Sequence, residues 1–220
     1  MSIVKAIITK LLNAPSCLYL AQKTPKFILK YTFKAINVQG DGNCGYKTVS
    51  HYIYKTQDQW ADVRGDLAEE IQQNKDLYEA INTLNPTVLS YLERTERYED
   101  VGQDPKSKWM SMPEMGDPIG NKHQRPVFCY STVQSFSFFP YFCPPNDNPS
   151  IFICFLDSFS PFVPLDLIIS KVYPVPPITV NHQFHAQQQA LGWADKFEKH
   201  RMLYLSNLPP PLRRTNYFGG

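Results

Sequence analysis

The 220-residue sequence predicts an α+β (or α/β) fold in which helices pack on a small central sheet and a helix closes the domain. Apolar residues make up 43% of the chain, which excludes disorder throughout. The first half shows helical spacing of apolar residues. Fifteen of the nineteen prolines lie between Pro113 and Pro211, and this excludes long helices from most of the second half. Short runs of Phe, Val, Ile and Tyr between these prolines predict strands.

Three segments are predicted along the chain. Residues 1–26 form an N-terminal extension with an amphipathic helix, residues 27–206 form the domain, and residues 207–220 form a flexible tail. The predicted helices of the domain cover residues 59–71, 77–81 and 88–92. The predicted strands cover residues 126–130, 135–139, 150–156 and 162–169, with a turn at 143–149. Apolar residues from Ala186 to Tyr204 predict one closing helix whose Trp193 and Phe197 face the core.

Charge and cysteine content exclude several functional classes. Lys and Arg number 22 and Asp and Glu number 20, so the net charge of +2 gives no support for a nucleic-acid partner. Five cysteines without a CxxC pair predict free thiols, no zinc site and an intracellular location, cytoplasmic or nuclear. No apolar run reaches the length of a membrane span.

The sharpest local motif is Gly40-Asp41-Gly42-Asn43-Cys44, which precedes a helical run through Tyr54. The motif predicts Cys44 in the first turn of a helix, where unpaired backbone N–H groups favour a thiolate and lower the pKa of the thiol. The same N–H groups are able to stabilise the oxyanion of a tetrahedral intermediate. We expect Gly42 to allow close approach of the backbone, and Asp41 and Asn43 to hold the loop through side-chain to backbone hydrogen bonds. The alternative is an ordinary turn followed by the first buried residue of a helix.

The stretch GDGNCGYKTVSHYIY resembles the nucleophile motif of the OTU (ovarian-tumour) cysteine peptidases. A second block, which begins at Lys108 and continues through residues 126–167, is similar to a divergent branch of this family. The resemblance implies a papain-like OTU peptidase fold that acts on the (iso)peptide bond at the C-terminus of ubiquitin, without a metal or other cofactor. It implies that Cys44 is the nucleophile and that Asp41, with Gly42 and Asn43, shapes the oxyanion loop. Ubiquitin or ubiquitinated proteins are the implied partners.

The sequence departs from the family at the general base. In the family a histidine opens the late strand, and here the corresponding position holds Pro161, which precedes Phe162-Val163-Pro164. Proline is unable to exchange a proton through its side chain, so loss of general acid–base help predicts a rate lower by about two to four orders of magnitude.

None of the five histidines is an evident replacement for the missing base. His51 follows Cys44 by seven residues on the same helix, which separates them by about 10 Å along the axis. His123 is expected in a solvated loop, His200 on an exposed helix face, and His182 and His185 at the start of the closing helix, from which they could swing toward the site. Two functions stay open: an OTU-type deubiquitinase with a base from elsewhere, and an inactive OTU-like module that binds ubiquitin or another partner.

Overall fold

A computed structural model describes residues 23–81, 88–96, 105–157 and 160–208. Most of the predicted N-terminal helix and nearly all of the predicted tail lie outside these residues. The helices of the described part are α1 (Lys26–Leu29), α2 (Cys44–Tyr54), α3 (Trp60–Gln73), α4 (Lys75–Ala80), α5 (Val88–Thr95), α6 (Gly116–His123), α7 (Val180–His185), α8 (Trp193–Lys196) and α9 (Glu198–Asn207). Short 3-10 turns occur at Lys106–Lys108 and Gln188–Ala190.

Five strands form one mixed sheet: β1 (Thr32–Ala35), β2 (Val127–Ser131), β3 (Phe136–Phe138), β4 (Ile151–Asp157) and β5 (Ser160–Leu167). Their order is β1-β5-β4-β2-β3. The β2–β4 pair is parallel, with Val127 opposite Ile151, and the other three pairs are antiparallel. Helices packed on a small sheet confirm the predicted α+β class. All four predicted strands are present, and β1 is a strand that the sequence analysis did not predict.

Apolar side chains on both sides of the sheet build the core. Helix α2 packs on β5, and α3 packs on α2, α5 and α6. The apolar face predicted for residues 59–71 is buried through Val63, Leu67 and Ile71. This packing fixes the start of α2 against the start of β5, and it thereby determines the surroundings of Cys44.

A helix closes the described part of the chain as predicted, but the predicted run from Ala186 to Tyr204 is not one continuous helix. Residues 180–207 form α7, a 3-10 turn, α8 and α9 in succession, and the chain is extended at Ala186 and Gln187. The predicted inward faces are nevertheless correct, because Trp193 is fully buried and Phe197 nearly so. Both rings stack on Phe139, with centroids 5.9 and 5.5 Å away. The spacing of the apolar residues thus correctly predicted which side chains face the core. It did not predict the turns at 186–192, which interrupt the hydrogen bonds of a continuous helix.

Candidate active site

Cys44 is the first residue of α2, as the sequence predicted. Its thiol is free and partly exposed. The preceding turn has Gly42 at φ 91°, a conformation that residues with a Cβ rarely adopt. Gly45, the next residue, lies against Met110, and a Cβ added to Gly45 would come within 2.5 Å of the Met110 Cβ. The loop and the first turn of the helix therefore depend on two glycines for different reasons.

Asp41 holds the loop in the way the sequence predicted. Its Oδ1 accepts a hydrogen bond of 3.0 Å from the backbone N–H of Asn43. Its Oδ2 accepts one of 2.5 Å from the Nζ of Lys47, one turn into α2. One carboxylate thus joins the loop to the helix that carries Cys44.

The side chain of Asn43 has a different role from the one expected. It makes no capping hydrogen bond to α2. Its Oδ1 instead accepts hydrogen bonds from the Nε and Nη2 of Arg64, at 3.1 and 2.7 Å. Arg64 lies on α3 and is 1% exposed. The sequence analysis missed this residue, and an arginine on the apolar face of the helix, next to the buried Val63, is the signal that could have found it.

The start of β5 lies beside Cys44. The backbone N–H of Phe162 is close enough to the thiol to act on its pKa, and the Phe162 carbonyl accepts a hydrogen bond of 2.9 Å from the Oγ1 of Thr48. The second contact ties this end of β5 to the second turn of α2. Residue 161 directly precedes Phe162 in the strand. The family resemblance predicts a histidine at this position, and the chain has Pro161.

The expected fall in the pKa of the Cys44 thiol is wrong in direction. Burial of the side chain raises the pKa, because it penalises the charged thiolate, and the nearby Asp41 carboxylate raises it further. The backbone N–H groups of Phe162, Gly45 and Cys44 act in the opposite direction and do not overcome the burial. The N–H groups at the start of the helix are thus present as predicted, but the protonated thiol of Cys44 is favoured over the thiolate.

For three of the five histidines the structure gives ring-nitrogen partners other than Cys44. The Nε2 of His51 lies 3.9 Å from the Oδ1 of Asp166, which is four residues beyond Phe162 on β5. The Nε2 of His182 lies 3.2 Å from the Pro140 carbonyl oxygen, and the Nδ1 of His200 lies 2.9 Å from that of Tyr173. His123 and His185 lie at the ends of α6 and α7.

His182 lies in the first turn of α7, near a helix start as predicted, and is buried there. Two other positions correct the sequence predictions. His200 is partly buried rather than exposed, and its ring contacts Tyr173. His123 is not in a solvated loop: it ends α6, and burial lowers its pKa to about 4. Burial also lowers the pKa values of His51, His182 and His200, so the neutral ring is favoured at each.

Away from Cys44, the described part of the chain has a cavity of its own. This cavity, of about 850 Å³, lies between the start of α1, the β2–β3 turn, α7 and α9, and neither Cys44 nor its loop lines it. Within residues 23–81, 88–96, 105–157 and 160–208, no group of three or more His, Cys, Asp or Glu side chains is arranged to hold a metal ion. No helix in the same ranges is long and apolar enough to cross a membrane.

Comparison with solved structures finds similarity to OTU domains. The OTU domain of OTUD1 is 19% identical in sequence, with a TM-score of 0.49, and the match covers 70% of this chain and 99% of that one. The OTU domain protease from Dera Ghazi Khan virus is 13% identical, with a TM-score of 0.48 over 64% of this chain and 84% of that one. The Hazara virus OTU, solved bound to ubiquitin, is 14% identical, with a TM-score of 0.45 over 66% and 87%. No protein-family model matches the sequence, and neither does any curated protein.

Proposed function

We propose that this chain is an OTU-like domain that engages the C-terminal tail of ubiquitin beside Cys44 and hydrolyses its amide bonds slowly, because the general base is missing. The motif Asp41-Gly42-Asn43-Cys44 supports the assignment, since it puts a thiol and several N–H donors at the start of α2. Such donors stabilise the negative charge that develops on a carbonyl oxygen under attack.

The observation that carries the proposal is the position of Phe162. Its N–H group acts on the Cys44 thiol, so the neighbouring residue 161 is where a base at the start of β5 would stand. That residue is Pro161. A thiol whose pKa is raised, without an imidazole at residue 161 to accept its proton, is a weak nucleophile at neutral pH. The departing amine also lacks a group that would protonate it.

Restoring the base tests this proposal. We expect Pro161→His to raise kcat/KM for a fluorogenic amide of the ubiquitin C-terminus by about 100- to 10,000-fold over the unmodified protein. The imidazole would accept the thiol proton and return it to the leaving amine. The hydrolysis should disappear when Cys44→Ala is added to Pro161→His.

Pro161→Ala is the matched control, because it removes the proline ring without supplying a base, and we expect no gain in rate from it. Rapid hydrolysis by the unmodified protein that is lost in Cys44→Ala would contradict the proposal and assign the base to another residue. Calorimetric measurement of ubiquitin binding to the Cys44→Ala protein tests recognition of ubiquitin separately from hydrolysis.

A further inference from the structure

Arg64 on α3 is a buried cation close to the start of α2. The residue is 1% exposed, and its Cζ lies 4.0 Å from the centre of the Tyr46 ring. Burial of a charge is unfavourable unless hydrogen bonds and favourable contacts replace the lost water. The described contacts of Arg64 therefore indicate which parts of the fold it stabilises.

One edge of the guanidinium holds the residue that precedes Cys44. Two of its N–H groups, on Nε and Nη2, donate to the single Oδ1 of Asn43. Because Asn43 is adjacent to Cys44, this fork fixes the backbone from which the thiol and the Cys44 N–H project. Asp41 holds the other end of the same loop through Lys47.

The remaining nitrogen binds backbone at the end of α5. Nη1 donates to the carbonyl oxygens of Arg94 and Glu96, the latter at 3.3 Å. The hydroxyl of Tyr46 donates to the Arg94 carbonyl as well, at 2.7 Å. Arg64 thus joins the Cys44 loop to a segment about fifty residues away in sequence, and lysine has too few N–H groups in a fixed plane to make the same set of contacts.

We propose that Arg64 is a positioning residue for Cys44, and that it acts through Asn43 by holding the loop so that the thiol stays partly buried against the N–H group of Phe162. The proposal rests on the proposed function where it concerns hydrolysis. Its effect on the thiol itself does not depend on any substrate.

Two measurements on Arg64→Lys test the proposal, and they should move in opposite directions. Alkylation of Cys44 by iodoacetamide in the full chain, followed by mass spectrometry of the peptide that contains Cys44, should become about fivefold faster at pH 7.5, and its pH profile should shift toward lower pH. Burial is the main cause of the raised pKa, so a loosened loop relieves it. In the Pro161→His background, kcat for the ubiquitin amide should fall by about 100-fold, because the thiol and the N–H donors lose their alignment.

Asn43→Ala should reproduce both effects, and Arg64→Lys added to Asn43→Ala should change little more, because the two residues act as one unit. Tyr78→Phe is the matched control: it removes a buried hydrogen bond of 2.9 Å to Glu70, also on α3, and should leave alkylation and its pH profile unchanged.

Unchanged alkylation in Arg64→Lys, or an effect equal to that of Tyr78→Phe at matched thermal stability, would overturn the proposal. If Pro161→His shows no hydrolysis, the proposed function fails, while the alkylation profiles still decide the role of Arg64.

Discussion

The protonation of the Cys44 thiol depends on two opposing effects: burial of the side chain and the N–H groups at the start of a helix. The sequence predicts the N–H donors, because a glycine turn followed by apolar residues at helical spacing is a local pattern. It does not predict the sign of the change in the pKa of the thiol. That sign is set by burial of the side chain, which outweighs the N–H groups around the thiol, including that of Phe162 at the start of β5, more than a hundred residues away in sequence. Local patterns thus located the thiol, and tertiary packing determined its protonation.

Gly42 gives a test of the loop at the scale of one residue. We expect Gly42→Ala to lower the free energy of unfolding by about 1–2 kcal/mol, because φ 91° forces a Cβ into a strained conformation. Urea denaturation followed by circular dichroism measures the change. Gly40→Ala is the matched control, since a Cβ there has no heavy atom within 4 Å, and we expect a change below about 0.5 kcal/mol. Equal losses for both variants would show that the positive φ is not the constraint.

Helices and strands were predictable to different extents. Residues 59–71 have a continuous apolar face, and the corresponding helix α3 has nearly the predicted limits. Strand β1 was missed because it is short and at the sheet edge, where Phe33 and Lys34 are exposed and show no alternation of apolar and polar residues. Helix α6 was missed because its sequence, GDPIGNKH, contains two glycines and a proline. Burial within the fold, rather than local propensity, stabilises α6, and pairing with β5 stabilises β1.

At the scale of the element, alanine substitutions of two glycines on neighbouring helices should change the stability of the fold in opposite directions. Gly65 is exposed within α3, and a Cβ there meets no heavy atom within 4 Å, so Gly65→Ala should stabilise the fold by about 0.5–1 kcal/mol through helix propensity. Gly45→Ala should destabilise it by about 1–3 kcal/mol, because its Cβ overlaps Met110.

Thermal and urea unfolding of the two variants measures the contrast. Met110→Gly, itself destabilising, should reduce the cost of Gly45→Ala when the two changes are combined, because the Met110 Cβ that would lie 2.5 Å from the added Cβ is then absent. Additive losses in the double variant would place the cause of the Gly45→Ala effect in the backbone of α2 instead.

At the scale of the whole molecule, two buried ionisable groups give stability opposite dependences on pH. Burial raises the pKa of Asp117 from 3.8 to about 7, while the neighbouring Tyr141 hydroxyl acts in the other direction. At pH values between these two pKa values, Asp117 binds more protons in the folded state than in the unfolded chain. Its contribution to stability therefore falls as the pH rises from about 4 to 7. Burial lowers the pKa of His123 from 6.5 to about 4. The unfolded chain then binds more protons across this range, so the contribution of His123 to stability increases as the pH rises.

Replacing Asp117 separates the two contributions. We expect Asp117→Asn to raise the free energy of unfolding by about 1–2 kcal/mol at pH 8, where the buried carboxylate is charged, and to give no gain at pH 4.5, where it is already neutral. The variant should therefore lose stability more steeply on acidification than the unmodified protein, because the His123 contribution is no longer opposed. Urea unfolding at half-unit steps from pH 4.5 to 8 measures this difference. Asp147→Asn, at a fully exposed side chain that pairs with Lys196, is the surface control and should shift stability by only a small amount. A gain for Asp117→Asn that is the same at pH 4.5 and pH 8 would mean that packing around the α6 start, and not ionisation of the carboxyl, is what the substitution changes.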